Sequence, residues 1–492
     1  MSTGDPLSRT GPDAVGGRLS GGLGAGAIVF MVVAAAAPLA VVGGVVPLAA
    51  LLGNGAGVPG MFLISGGILL FFALGLSTMS RHVTKPGAFF TYVGYGLGRP
   101  AGMAAAWLAL LTYTAAQIAV FAYSGLMLGR WVDGHGGPGL PWWLWSLALA
   151  VFVGILGHRR VELSSKVLGL LLIAEIGVVL ILSVVILMGG GANGITADSF
   201  HPSVVLSGSP ALALMLVMGG FSGFESTVIY RDEAREPERT IPRATYAAVV
   251  LITVFYTFTA WALVQGWGSG FTAAIAHDSS GFLVTTTSRF LGSAGAEVVN
   301  LLLLTSFFAC ALSFHNVIVR YQHAMANAGL LPGAVARVHT RHRSPYVSSA
   351  VQTTTVLALL GVFAVCRLDP YLKVYTWLGE VGTVAIIVLM ALTSLAVITY
   401  LNRERIPAGP WRTWVAPAIG LAGLLAVAAV LLWNFPLLLG DADAAGSPRV
   451  GRLTIGFYAL LAAFPAIGLA QAAWLRRARP AAYLKVIDII ST

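Results

Sequence analysis

The chain has 492 residues, of which 57% are hydrophobic and only 10% charged, and its formal net charge is +10. A soluble domain carries roughly a quarter charged residues, so this composition excludes an ordinary soluble protein and indicates a chain that crosses a membrane many times. The two cysteines, Cys310 and Cys366, lie in or beside apolar stretches, which excludes a disulfide framework and a cysteine-based metal cluster.

Apolar stretches long enough to cross a bilayer follow one another along the chain. Residues 1–20 are polar and glycine-rich and predict a disordered cytoplasmic tail. The apolar stretch that follows is too long for a signal peptide, so we expect it to be retained. A second cytoplasmic tail is predicted over 476–492. With roughly 20 apolar residues per span, the sequence predicts about twelve transmembrane helices, near residues 22–53, 58–80, 100–129, 141–158, 161–190, 208–230, 241–267, 296–322, 346–366, 370–401, 411–434 and 451–475.

The positions of lysine and arginine predict the orientation. If the amino terminus lies in the cytoplasm, 23 of the 29 Lys and Arg residues fall in cytoplasmic segments and 6 fall outside. Cytoplasmic loops of membrane proteins carry such an excess, and an even number of spans places both termini in the cytoplasm. Basic cytoplasmic loops therefore explain the net charge, and no nucleic-acid partner is needed to account for it.

Two of the predicted spans are interrupted. The first contains Pro38 and a Gly43-Gly44 pair, and proline removes a backbone donor and disfavours helix at the residue before it. The sixth is broken by glycines between Gly219 and Gly223. Irregular backbone at membrane depth is tolerated only where it is buried in protein or lines a cavity, and corresponding interrupted spans in two halves point to a transport site. The alternative is that these small residues only allow close helix packing.

Three separated stretches resemble motifs of the amino acid permeases of the amino acid–polyamine–organocation superfamily. Residues 86–92, Pro-Gly-Ala-Phe-Phe-Thr-Tyr, are similar to the motif that leads into the family's third span. Residues 221–225, Phe-Ser-Gly-Phe-Glu, are similar to its broken sixth span, and residues 233–244 to the loop that follows. The stretch from 320 to 345 resembles the loop after the eighth span. Together, in this order and between these spans, the motifs indicate the family.

The resemblance implies an all-α polytopic membrane protein with the fold of the sodium-coupled leucine transporter. In that fold two inverted five-helix repeats surround a site at the membrane midplane. Here the repeats would cover about residues 21–190 and 208–400, within a transporter core over 21–400. Two additional transmembrane helices would follow over 401–475.

The resemblance also implies that backbone groups of the two broken spans bind the amino and carboxyl groups of a substrate. Free N–H groups suit an anion and free carbonyls suit an ammonium. Some family members carry a bulky aromatic gate at the position of Gly219, so the glycine predicts a roomier pocket. The implied binding residues are Ala35, Ala36, Ala37 and Pro38 in the first span and Gly219, Gly220, Phe221, Ser222 and Gly223 in the sixth. Thr114 in the third span is an additional candidate polar contact.

Three carboxyl groups at membrane depth are candidates for coupling or gating, because charges inside a span are rare and usually functional. Glu175 occupies the position at which the family's proton-driven members often carry a lysine, and burial would favour its neutral form. The alternative is a carboxylate satisfied by helix ends or water. Glu225 follows the break of the sixth span, where it could gate, hold the broken helix or titrate. Glu380 lies in the tenth span, near the predicted outer vestibule.

These features predict a secondary active transporter that moves amino acids or related amines across the cytoplasmic membrane by alternating access, coupled to protons or working by exchange. The alternatives are a polyamine or other organocation carrier of the same fold, a carrier of another fold, and a channel. The sequence contains no nucleotide-binding, zinc-protease or dithiol redox motif, so we expect neither an enzyme nor a cofactor or metal. The expected partners are the small-molecule substrate, protons and the lipid bilayer, and the oligomeric state is left open.

Overall fold

The fold is that of a computed structural model, which describes residues 24–83, 89–159, 165–225, 227, 234–339, 344–407, 409–443 and 446–490. Within these ranges the chain forms helices and loops, and an isolated bridge joins Ala442 and Pro448. The predicted tail at 1–20 lies outside the described residues. So do 86–88 of the first motif and parts of the loops in the other two.

The helices differ widely in length, from single turns to a stretch of 46 residues that is kinked at Gly292, where the backbone is not helical. They are α1 (Ala25–Ala35), α2 (Pro38–Ala40), α3 (Val46–Ala49), α4 (Val58–Ser80), α5 (Phe89–Leu97), α6 (Arg99–Gly134), α7 (Trp142–His158), α8 (Ser165–Met188), α9 (Pro202–Val205), α10 (Pro210–Gly219), α11 (Pro237–Trp267), α12 (Phe271–His277), α13 (Phe282–Asn327), α14 (Tyr346–Val365), α15 (Thr376–Arg403), α16 (Ala416–Leu438), α17 (Arg452–Ala478) and α18 (Pro480–Ile490). Wider helical turns at Val41–Val45, Ala50–Asn54, Pro370–Tyr375 and Trp411–Val415 extend several of them.

Apolar helices account for every predicted span. In the described part of the chain, nine helical stretches are long and apolar enough to cross a membrane, and one of these, Ala25–Ser80, contains both the first and the second predicted span. The shorter apolar helices α7 and α10 occupy the fourth and sixth predicted spans. The prediction of an all-α protein with many apolar helices is confirmed. The count of twelve crossings and the inverted repeats remain predictions.

The long helix α6 occupies the centre of the bundle. Gly98, with φ of 94°, precedes it, and Pro100 lies in its first turn, where the missing N–H of proline has no intrahelical partner to lose. α6 packs against α7, α13, α15 and α17, while α4 packs along α11. Helix α6 is therefore covered by other helices on most of its surface.

The first and sixth predicted spans are both interrupted in the structure. α1 ends at Ala35, Ala37 adopts left-handed backbone with φ of 45°, and α2 begins at Pro38. α10 ends at Gly219 and continues as turns, in which Gly223 has φ of 112°. Glycine adopts positive φ without steric cost, whereas an alanine there is held by its surroundings. Both interruptions adjoin the same interior cavity.

Candidate substrate-binding cavity

An interior cavity of about 120 Å³ lies between the two breaks. Its wall is formed by the first and sixth spans together with α6, α13 and the beginning of α15. Most of the wall is apolar. Its polar residues are Thr112, Tyr113, Ser222, Glu225, Cys310, Tyr375, Thr376, Glu380 and Thr383. None of the described residues on this wall is a lysine, arginine or histidine.

The predicted binding residues divide into those on the wall and those away from it. The ones on the wall are Ala36, Ala37, Gly219, Gly220 and Ser222. Three others are buried without lining the cavity: Pro38, Phe221 and Gly223. The side chain of Ala35 lies outside the described part of the structure. Thr114 also does not line the cavity, whereas Thr112 does, because side chains two residues apart on a helix point in nearly opposite directions.

Glu175 holds the break of the first span from outside the cavity wall. Its Oε2 accepts a hydrogen bond of 2.9 Å from the hydroxyl of Ser306 in α13. The same carboxyl group accepts a hydrogen bond from the backbone N–H of Leu39, in the first turn of α2, where helix N–H groups lack intrahelical partners. On the other side of the break, the Tyr256 hydroxyl donates to the carbonyl of Ala36 at 3.4 Å. Side chains from α8 and α11 therefore fix this break, and α13 holds Glu175 in place through Ser306.

Glu225 ties the break of the sixth span to α6. Its Oε2 accepts a hydrogen bond of 2.7 Å from the backbone N–H of Gly223, and its Oε1 accepts one of 2.9 Å from the hydroxyl of Tyr113. The Glu225 side chain is buried and lies on the cavity wall. Both of its oxygens have partners, as buried polar atoms usually do.

Glu380, in contrast, has an unused hydrogen-bonding atom. The residue is 4% exposed and lies on the cavity wall. The hydroxyl of Thr383, one turn further along α15, donates to the carbonyl of Gly379 at 3.0 Å, and Glu380 Oε2 has no hydrogen-bond partner among the described residues. A buried acceptor without a hydrogen-bond partner is unusual, which indicates that a bound ligand or a proton satisfies it.

Gly219 makes room for this part of α15. A methyl group added at Gly219 would lie 2.5 Å from Thr383 Oγ1 and 3.7 Å from Glu380 Oε1. The first distance is shorter than a van der Waals contact allows, so the backbone of the sixth span and α15 approach closely here. The side chain of Thr383 occupies the space that a larger residue at Gly219 would need, and the expectation of a roomier pocket at this position stays a prediction.

Two tyrosines, Tyr123 and Tyr371, pack against Tyr375 of the cavity wall, toward the end of α6 that carries Arg130. The hydroxyl of Tyr123 lies 3.1 Å from the carbonyl oxygen of Gly43 and 2.7 Å from that of Ser280. The hydroxyl of Tyr371 donates to the carbonyl of Gly44 at 2.8 Å, and the two rings are 4.7 Å apart between centroids. The wide helical turn after the first break is thus held from two sides.

An ion pair lies beyond these tyrosines. Arg130 donates to both carboxylate oxygens of Asp278 at 2.9 Å and to the hydroxyl of Ser280 at 2.6 Å. Desolvation acts to raise the pKa of Asp278, but the hydrogen bonds and the charge of Arg130 outweigh it, and the pKa is lowered from the ordinary value for aspartate. The pair joins the end of α6 to the connection between α12 and α13.

Comparison with known families decides the class of the protein. A family model described as amino acid permease matches residues 28–481. The chain belongs to the amino acid permease family. Relatives of this permease include the gamma-aminobutyric acid permease of Escherichia coli K12, 24% identical over 382 residues that cover 72% of this chain and 77% of the relative. They also include the L-asparagine permease of the same strain, 24% identical over 422 residues, with 81% and 80% covered.

Other similarities are more distant. The serine/threonine exchanger SteT of Bacillus subtilis 168 is 21% identical to the permease over 309 residues, with 61% of this chain and 67% of the exchanger covered. Among solved structures, the manganese transporter of Eremococcus coleocola, in complex with an aromatic bis-isothiourea compound, superposes with a TM-score of 0.53 at 13% identity, over 94% of this chain and 95% of that one. The latter likeness concerns the fold alone. The family and the many apolar helices make the permease an integral membrane protein, in a family of transporters rather than enzymes.

Some residues of the permease cavity were not predicted, although a helical stripe could have indicated them. Thr112, Ala116 and Ala119 line the cavity from α6 at spacings that place side chains on one helix face. Phe307 and Cys310 line it from α13 with the same periodicity. Both stripes lie in strongly apolar helices, so composition alone did not distinguish a cavity-lining face from a packed one.

Proposed function

We propose that this permease is a secondary active transporter that moves amino acids across the cytoplasmic membrane by alternating access, with the cavity between the two breaks as its substrate site. The observation that carries the proposal is that one cavity adjoins both interrupted spans, at Ala36 and Ala37 and at Gly219 and Gly220. Transporters build binding sites at such breaks. The family, and relatives that are permeases for gamma-aminobutyric acid and L-asparagine, support amino acids as the substrate class.

The ends of the broken helices suit the two charged groups of an amino acid. α1 and α10 end at the cavity, so their last carbonyl oxygens bring partial negative charge there. We assign the substrate's ammonium group to these carbonyls. The substrate's carboxylate would bind the hydroxyl of Ser222 on the cavity wall, because the backbone N–H groups of residues 220–224 already donate to other atoms of the protein.

We propose coupling to protons, or exchange, rather than coupling to sodium. Glu175 contacts the first span through Leu39 and α13 through Ser306, so gain or loss of a proton there would change how three spans are held together. Glu225 and Glu380 are further candidates, because both are buried on the cavity wall.

The proposal includes an orientation and a division of the chain. Two inverted repeats over about residues 21–190 and 208–400 would form the transporter core, and 401–475 would add two helices outside it. The excess of lysine and arginine in predicted cytoplasmic segments supports cytoplasmic termini, with tails over 1–20 and 476–492.

A polyamine or other organocation carrier of the same fold is the second candidate. The two carboxyl groups on the cavity wall, Glu225 and Glu380, favour it, since no described residue on that wall is cationic.

Uptake by the purified protein in liposomes tests these proposals. Radiolabelled amino acids and polyamines are offered to liposomes that contain unlabelled substrate or none, under an imposed proton or sodium gradient. We expect uptake of at least one amino acid, faster with substrate inside and responsive to the proton gradient. Uptake of polyamines alone would favour the second candidate. Uptake indifferent to internal substrate and to both ion gradients would indicate a channel, and uptake driven only by sodium would refute the coupling proposal.

A further inference from the structure

The charges on the cavity wall do not balance. Glu225 and Glu380 both lie on it, and none of the described wall residues is a lysine, arginine or histidine. An amino acid with a neutral side chain carries no net charge and cannot compensate a carboxylate. A buried carboxylate without compensation is strongly unfavourable, so each of these two groups needs a hydrogen-bond donor, a cation or a proton.

Of the two carboxyl groups, only Glu225 is fully satisfied by the protein. Gly223 and Tyr113 donate to its two oxygens at 2.7 and 2.9 Å. Glu380 Oε2 has no hydrogen-bond partner among the described residues, although the residue is only 4% exposed. The one carboxylate oxygen on the described cavity wall that lacks a hydrogen-bond donor is therefore Glu380 Oε2.

The surroundings of Glu380 favour a cation over a neutral donor. Glu380 Oε1 lies 3.7 Å from where a methyl group on Gly219 would be, and Gly219 is the last residue of α10. The C-terminal end of a helix carries partial negative charge. The carboxyl group and the helix end thus contribute negative potential to the same corner of the cavity.

We propose that Glu380 is the specificity-determining residue of the cavity and binds the side-chain cation of an amino acid with net positive charge. This inference rests on the proposed function, because it assumes that the cavity is the substrate site. The α-ammonium then binds the carbonyls at the end of α1, because Glu380 shares its corner of the cavity with the end of α10, and the α-carboxylate binds Ser222 at the break of the sixth span. The side-chain ammonium or guanidinium donates to Glu380 Oε2, which completes the hydrogen bonding of that group and neutralises its charge.

Two pairs of amino acids test the proposal, since the members of each differ in side-chain charge and little in shape. L-arginine is paired with L-citrulline, and L-lysine with L-norleucine. Dissociation constants are measured by calorimetry on the purified full-length protein, on Glu380→Gln, and on the control Glu404→Gln. Glu404 lies at the end of the same helix, is exposed, and pairs with Arg403 at 3.1 Å.

We expect the parent to bind each cationic member at least about tenfold more tightly than its neutral partner, in keeping with the cost of truncating a buried charge pair. Glu380→Gln should abolish that preference by weakening only the cationic members, and Glu404→Gln should leave it intact. Equal binding of arginine and citrulline by the parent would overturn the proposal and leave a proton as the partner of Glu380. Equal weakening of both members by Glu380→Gln would also overturn it.

Failure of the proposed function has a different signature. If the parent binds none of the four compounds and takes up no amino acid in the liposome panel, the cavity is not an amino acid site and the inference fails with it. If neutral amino acids are transported and cationic ones are not, the proposed function stands and only the assignment of Glu380 fails. If Glu380→Gln does not yield folded protein, the relative affinity of the parent for arginine and citrulline tests the proposal. Glu380→Asp keeps the charge and is expected to retain the preference for arginine.

Discussion

Glu175 in α8 and Ser306 in α13 are joined by a hydrogen bond of 2.9 Å between Ser306 Oγ and Glu175 Oε2. The same carboxyl group accepts the backbone N–H of Leu39, just after the break of the first span. One side chain therefore connects three spans at a place where alternating access would require relative movement. The protonation state of Glu175 sets the charge at that junction.

Glu175→Gln is expected to separate exchange from accumulation. The amide imitates the protonated acid and still offers an oxygen to Ser306 or Leu39, so the fold should be kept. Exchange of substrate for substrate, which needs no net proton movement, should persist, whereas accumulation driven by a proton gradient should be lost. Liposome counterflow and gradient-driven uptake measure the two activities. Accumulation equal to that of the parent would make Glu175 a structural residue and direct attention to Glu225 and Glu380.

Tyr113→Phe removes the donor to Glu225 Oε1. Leaving a buried acceptor without its partner costs about 1–3 kcal/mol, so the variant should have a lower melting temperature. Its substrate affinity should also change, because Tyr113 and Glu225 both lie on the cavity wall. Thermal unfolding in detergent and substrate titration provide the two readouts. Unchanged values in both would show that the bond contributes nothing to the cavity.

Gly223→Leu is expected to abolish uptake without preventing membrane insertion. Gly223 has φ of 112°, a conformation that costs a leucine roughly 1–3 kcal/mol, and the strain would fall on the break that Glu225 holds. Leucine leaves the hydropathy of the span intact. The matched control is Gly456→Leu in α17, an exposed helical position where added atoms meet nothing within 4 Å. Normal uptake by Gly223→Leu would remove this break from the transport site.

Asp278→Asn is expected to open the cavity on the side that carries Arg130. The lowered pKa of Asp278 means that its ion pair stabilises the contact between α6 and the α12–α13 connection at neutral pH, and that this stabilisation is lost only as the pH falls through the lowered value. Asparagine removes the charge at every pH. In a Cys366→Ser background, a membrane-impermeant thiol reagent should label Cys310 several-fold faster in the variant at neutral pH. Equal rates would show that Arg130 and Asp278 do not close the cavity.

Local sequence signals predicted the fold better than they predicted the cavity. Hydropathy located each span, and proline and glycine at Pro38 and Gly219–Gly223 marked the breaks, because both residues act on the backbone directly. Thr112 lines the cavity and Thr114 does not, because the rotation of α6 about its axis is set by packing against several helices. The close approach of Thr383 to Gly219 joins residues 164 positions apart, and no local pattern carries that information.

Protection of Cys310 by substrate tests the central claim most directly. Cys310 lies on the cavity wall, and Cys366→Ser leaves it as the only cysteine in the chain. If the cavity between the two breaks is the substrate site, a saturating amount of a transported amino acid should slow the reaction of Cys310 with a small thiol reagent at least severalfold, while an amino acid that is not transported should leave the rate unchanged. A transported amino acid that leaves the labelling rate of Cys310 unaltered would contradict the account.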